Sequence, residues 1–153
     1  VGSEMCIRDR KKEGIEITIG LETMGKKEVF GSLEEIIEVC KRVRGTTPVI
    51  DIGHIHARDN GCLREKEDFQ RIFDEVSVLN INHYLIHLTG VRYDNQGELY
   101  HVPIKKGNIP VDKLMRCIIE NNYDVTIISE SPVVEHDAVY TQILFDRALE
   151  MLK

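Results

Sequence analysis

Five short apolar runs, or the loops that follow them, each deliver residues of the kind that bind metal: Glu22, Asp51 with His54, His87, His101 and Glu130. Carboxylates and imidazoles spread this widely along a chain converge only if a repeated fold returns the backbone to one face at each repeat. A βα repeat does so, because every parallel strand ends at the same edge of the sheet and the helix between strands supplies the way back.

The extreme N-terminus stands apart from this pattern. Met5-Cys6-Ile7-Arg8-Asp9-Arg10 resembles the translation of a transposon adapter used in shotgun sequencing, and no periodicity of residues 1–10 continues into Lys11. The expectation is a sequencing scar at residues 1–10, with residues 11–153 the C-terminal part of a longer protein. An ordinary leader is the alternative.

Composition narrows the class. Hydrophobic residues make up 42% and charged residues 30%, which suits one soluble domain or part of one. No apolar stretch approaches the ~20 residues needed to span a bilayer. Leaving aside Cys6, the cysteines are Cys40, Cys62 and Cys117, with neither a CxxC pair nor an even framework. A reduced, cytoplasmic protein without a membrane segment is expected. The net charge of −6 argues against nucleic-acid binding by the whole surface but leaves room for a local basic rim.

The hydrophobic period alternates between two and three to four along the chain. Residues 15–22 alternate strictly, with Ile15, Ile17, Ile19 and Leu21 on the face expected to meet helices and Glu16, Thr18, Gly20 and Glu22 lining the interior. Ser32-Leu33-Glu34-Glu35 is a capping box opening a helix through Ile36, Ile37, Val39, Cys40 and Val43, which Gly45 stops. A second strand at Pro48–Asp51 is followed by a loop to Gly61 and a helix from Glu65 to Leu79. A third at Tyr84–Leu88 precedes the longest loop, Thr89 to Ile109, and a helix starting at Pro110. The fourth runs from Val125 to Glu130, before a final helix from Glu135 to Leu152. Four βα units predict an α/β fold, the C-terminal half of a (β/α)8 TIM barrel.

Glu22 and Glu130 end apolar strands on the inward face, where an unpaired charge would cost several kcal/mol. The strand interiors offer no Lys or Arg to compensate them, so a bound cation is preferred over a salt bridge. Taken singly, Asp51 with His54 reads as a capped turn, His87 as a core histidine and His101 as a loop residue. Together, Glu, Asp, His and Glu at four consecutive strand ends form a mixed nitrogen and oxygen site of the type used for zinc or manganese.

These residues carry a resemblance to a known family. Leu21-Glu22-Thr23-Met24-Gly25, Asp51-Ile52-Gly53-His54, Ile86-His87-Leu88-Thr89-Gly90, His101 with Gly107-Asn108-Ile109, and Glu130-Ser131-Pro132 resemble the successive motifs of endonuclease IV, within the xylose isomerase-like barrels. The resemblance implies a Zn2+ enzyme that hydrolyses the phosphodiester at abasic sites in duplex DNA. By motif, Glu22 would bridge two metals; Asp51, His87 and Glu130 would complete the second metal's shell, and His54 and His101 would hold a third. Glu130 and Glu22 would be the catalytic carboxylates. Lys26, Lys27, Arg58, Arg92, Lys105 and Lys106 are candidates for meeting phosphates. The family's third metal also takes an Asp two residues before the loop histidine, where this chain has Leu99; Glu98, one residue away, is a candidate substitute and is not among the expected ligands. Two histidines of the first metal belong to the barrel's N-terminal half, which this chain lacks. The fragment is therefore expected to be poorly active and to self-associate.

Sugar isomerases and epimerases on the same barrel share the Glu, Asp, His, Glu quartet. They use one divalent metal, Mn2+ among the choices, and flank the substrate's C–H bond with two carboxylates that shuttle a proton. A non-catalytic metal-binding relative is the third possibility.

Overall fold

The computed structural model describes Met5 and residues 8–10, 12–15 and 17–152. The expected roles of Cys6, of Lys11 as the start of the barrel and of Glu16 on the interior face lie outside the described residues.

Four parallel strands form the main sheet in the order β1-β2-β3-β6: β1 Ile19–Glu22, β2 Thr46–Asp51, β3 Tyr84–Leu88 and β6 Val125–Ser129. Helix α1 (Leu33–Arg42) joins β1 to β2, α3 (Lys66–Val76) leads to β3, α4 (Val111–Glu120) leads to β6, and α5 (Glu135–Met151) follows it. This is an α/β half-barrel, as the alternating periods predict. Register carries the donors to one edge: Asp51 pairs with His87, and the amide of Glu130 bonds the Leu88 carbonyl just past the end of β6.

The predicted capping box is present. The Glu35 amide donates to Ser32 Oγ at 3.2 Å, and the Ser32 amide donates to Glu35 Oε2 at 2.9 Å. The helix ends at Arg42 with Val43 as its cap, and α3 passes into a single 3-10 turn at Ser77–Leu79. Between sheet and helices, Tyr84, Ile86 and Leu88 of β3 pack on Phe69, Phe73 and Val76 of α3, all buried. Phe73 stacks on Tyr123 at 4.2 Å between centroids and meets Tyr84 edge-on.

Three expectations are corrected. The first strand begins at Ile19 rather than Ile15, because its ladder with β2 starts at the Ile19–Thr46 pair; Ile15 and Ile17 are exposed. Residues 52–58, read as loop, form a short helix α2 (Ile52–Arg58), capped by Asp51 and held by the burial of Ile52, Ile55 and Ala57. The long loop from Thr89 contains a β-hairpin, β4 (Gly90–Asp94) with β5 (Gly97–Val102), and a 3-10 turn at Ile104–Lys106. Its polar residues mask the alternation that marks a buried strand.

Candidate metal centre

Each strand end contributes one donor to a first cluster. One ligand atom each from Glu22, Asp51, His87 and Glu130 lie within 4.8 Å of one another. His87 Nδ1 is 3.2 Å from Glu22 Oε1 and 3.1 Å from Glu130 Oε1, so β3 places its imidazole between carboxylates from the two flanks. Asp51 is fully buried. Its Oδ1 caps α2 by accepting from the His54 amide at 2.6 Å, while its Oδ2 has no partner.

An orphaned carboxylate oxygen beside two further carboxylates is the strongest local sign of a cation position, since a buried unpaired acceptor costs at least ~1–3 kcal/mol. Burial is the main force that pushes the Asp51 carboxyl up to about 6, with Glu22 and Glu130 adding to it and His54 opposing. A divalent cation would reverse that balance, and the mixed carboxylate and imidazole set fits zinc or manganese.

The second cluster is His54, Glu98 and His101. His54 Nδ1 lies 2.7 Å from the Thr23 carbonyl and His101 Nδ1 3.2 Å from the Glu130 carbonyl. A carbonyl only accepts, so both Nδ1 atoms donate and both rings turn Nε2 inward. The two Nε2 atoms are 3.4 Å apart and each lies 3.2 Å from the Glu98 carboxylate. Such a group is balanced by a proton on Nε2, by a bound cation or by a donor from a ligand. Nδ1 bonded to a backbone carbonyl is also how metal-binding histidines are usually oriented. Thr23 ties the clusters together, its hydroxyl accepting from the Asp51 amide at 3.0 Å while its carbonyl holds His54.

The structure thus brings all six sequence-expected donors to one edge of the sheet and adds Glu98. Leu99, at the position where the resemblance puts an Asp, is exposed. The pairs Arg92–Tyr100 and Tyr93–Glu98 skip Leu99, a bulge that puts Glu98 and His101, three apart, on the same side.

The basic candidates divide. Lys26 and Lys27 after β1, Arg92 on the hairpin, and Lys105 and Lys106 after β5 are exposed, with Lys105 4.3 Å over the Tyr140 ring. Arg58 is a correction. Its guanidinium donates to the carbonyls of Met24, Lys26, Lys27 and Val29 and approaches Glu35 at 3.8 Å, so it clamps the β1 loop instead of facing a ligand.

A parallel half-barrel with donor clusters at the strand C-termini has counterparts among known proteins. The chain belongs to the xylose isomerase-like TIM barrel family, whose pattern matches residues 6–152, beginning inside the segment read as a scar. It is 33% identical over 135 residues to uncharacterized protein MJ0133 of Methanocaldococcus jannaschii, across 84% of this chain and 49% of that protein. The crystal structure of a D-tagatose 3-epimerase-like protein matches its fold with a TM-score of 0.63 at 24% identity, over 95% of this chain and 51% of the other. The chain therefore spans about half the length of these relatives. No helix among the described residues is long and apolar enough to cross a membrane.

Proposed function

We propose that the whole protein is a divalent-metal-dependent sugar isomerase or epimerase, with one cation held by Glu22, Asp51, His87 and Glu130. The observation that carries this reading is the geometry of the first cluster: His87 Nδ1 lies 3.2 Å from Glu22 and 3.1 Å from Glu130, with the buried Asp51 carboxylate beside them. Two carboxylates on either side of His87 would take a proton from a substrate carbon and return it from the other side. A bound cation would polarise the substrate's carbonyl and hydroxyl oxygens. The Glu98 carboxylate, with Nε2 of His54 and His101 beside it, would accept from the hydroxyl groups of a sugar. The likeness to a D-tagatose 3-epimerase-like structure supports the same reading.

A second reading, hydrolysis at abasic sites in duplex DNA, is favoured by one observation: the His54, Glu98 and His101 trio is a complete donor set for a second cation such as zinc. In that case Lys26, Lys27, Arg92, Lys105 and Lys106 would face phosphates, and binding would weaken steeply with salt.

The number of bound cations and the substrate separate the two. The whole protein is loaded with zinc or manganese, its metal content measured, and both ketohexose interconversion and incision of an abasic-site duplex assayed across a range of salt. One metal per chain with ketose turnover is the expected result. Two or more metals with incision would overturn it in favour of the hydrolase, and turnover of neither substrate would leave a non-catalytic metal-binding relative. Glu130→Gln should lower turnover about 10²- to 10⁴-fold while leaving the melting temperature nearly unchanged.

A further inference from the structure

Glu98 reaches the second cluster only because the hairpin is out of regular register. From Gly90–Val102 to Arg92–Tyr100 the ladder is regular, and continuing it would pair Tyr93 with Leu99. The observed pair is Tyr93 with Glu98. A one-residue slip turns every side chain beyond it to the other face, so something must select the bulged pairing.

A directional hydrogen-bond relay ends on Tyr93. The Leu63 amide donates to His56 Nδ1 at 3.2 Å, which places the ring proton on Nε2; that proton goes to Asn108 Oδ1 at 3.0 Å. With its oxygen so fixed, Asn108 donates from Nδ2 to the Tyr93 hydroxyl at 2.9 Å. His56 is buried and meets the Tyr93 ring edge-on at 5.3 Å. Gly61, at φ +81°, leaves the space: a Cβ there would stand 2.3 Å from the Tyr93 hydroxyl oxygen.

We propose that Tyr93 is a positioning residue whose hydroxyl, held by Asn108 and His56, locks the bulged register of the hairpin and so presents Glu98 to His54 and His101. The inference rests on these three donors working together and is independent of whether they serve a cation or a sugar hydroxyl. His56 and His54 share helix α2, so the relay measures the hairpin against the same element that carries its partner ligand.

The test uses the full chain with Tyr93→Phe, Asn108→Ala, Glu98→Gln and the double variant Tyr93→Phe/Glu98→Gln. The Glu98 amide bonds the Gly25 carbonyl at 3.0 Å, so its hydrogen exchange reports the register directly. Expected is an acceleration of at least about tenfold at that amide in Tyr93→Phe and Asn108→Ala, with β2 and β3 amides unchanged. Where a second cobalt enters the His54, Glu98 and His101 cluster, Tyr93→Phe and Glu98→Gln should weaken its absorption signal alike, and the double variant should weaken it no further. Unchanged protection of the Glu98 amide in both relay variants would overturn the proposal. So would equal acceleration across β2 and β3, which would mark the relay as general support for the fold. If the chain takes up a single cobalt, the two-cation reading fails while the amide exchange still decides the role of Tyr93.

Discussion

Asp51 combines three demands in one side chain: it caps α2, it is sealed from solvent and it lies among carboxylates. Its carboxyl is raised from the ordinary 3.8 to about 6, so the folded chain holds a proton that the unfolded chain releases. The resulting stability, at most about 3 kcal/mol, is fully present below pH 4 and is lost as pH rises through about 6. Thermal melts of the metal-free chain should therefore show falling stability from pH 4 to pH 7. Added zinc or manganese should raise the melting temperature at pH 7.5 and much less at pH 5, because protons compete for the same oxygens. Asp51→Asn should stabilise the metal-free chain at pH 7.5 and abolish the metal-induced shift. Gly25 makes a second, purely steric demand. A Cβ there would lie 2.6 Å from Glu98 Cβ and Oε2 and 3.2 Å from His54 Cδ2. Gly25→Ala should displace Glu98 and disrupt the second cluster while leaving Glu22, Asp51, His87 and Glu130 able to bind a cation. Unchanged metal content together with faster exchange at the Glu98 amide checks this, and loss of the metal held by the first cluster would contradict it.

At the level of elements, the hairpin shows how a departure from a family pattern is absorbed. The resemblance implies an acidic ligand two residues before the histidine, on the same strand face; this chain has Glu98 three residues before His101, and the bulge at Leu99 restores the shared face. Deleting Leu99 should make the ladder regular and keep Glu98 and His101 on one side, at modest cost in stability. Inserting a residue there should separate them. Side-chain contacts between residue 98 and His101, read by nuclear Overhauser effects in the two variants, distinguish these outcomes. Helix α1 depends on its cap in a simpler way. Ser32→Ala should cost about 1 kcal/mol, read from denaturant midpoints, without altering metal affinity, because the capping box lies outside both clusters.

For the whole molecule, β1 and β6 are the edges of the four-stranded sheet, and Ile128 of β6 with Val139 and Ile143 of α5 is exposed. Open strand edges beside apolar surface favour pairing with another chain. Expressed alone, the 153-residue chain should associate in a concentration-dependent manner, seen by sedimentation velocity. A monodisperse monomer over a hundredfold range of concentration would contradict this. The same geometry gives the two candidate clusters opposite situations, one with Asp51 buried at the end of β2, the other completed by the hairpin.

The half-barrel and its first donor cluster were legible from residue order, because parallel βα units place every strand end on one edge and hydrophobic periods mark strands and helices locally. Glu22, Asp51, His87 and Glu130 needed only that topology to meet, and the Ser32 cap needed only a partner three residues away. The rest was decided by contacts between distant segments. Ile52–Arg58 is helical because its side chains are buried and Asp51 caps it, against a composition poor in strong helix formers. Arg58 turns inward because carbonyls some thirty residues earlier surround it. Glu98 replaces the position of Leu99 because a bulge shifts one strand by a single residue, and Tyr93, Asn108 and His56 come together from three segments. Periodicity records which face a residue prefers; register, bulges and the direction of buried hydrogen bonds are chosen by the partners that the folded chain brings within reach.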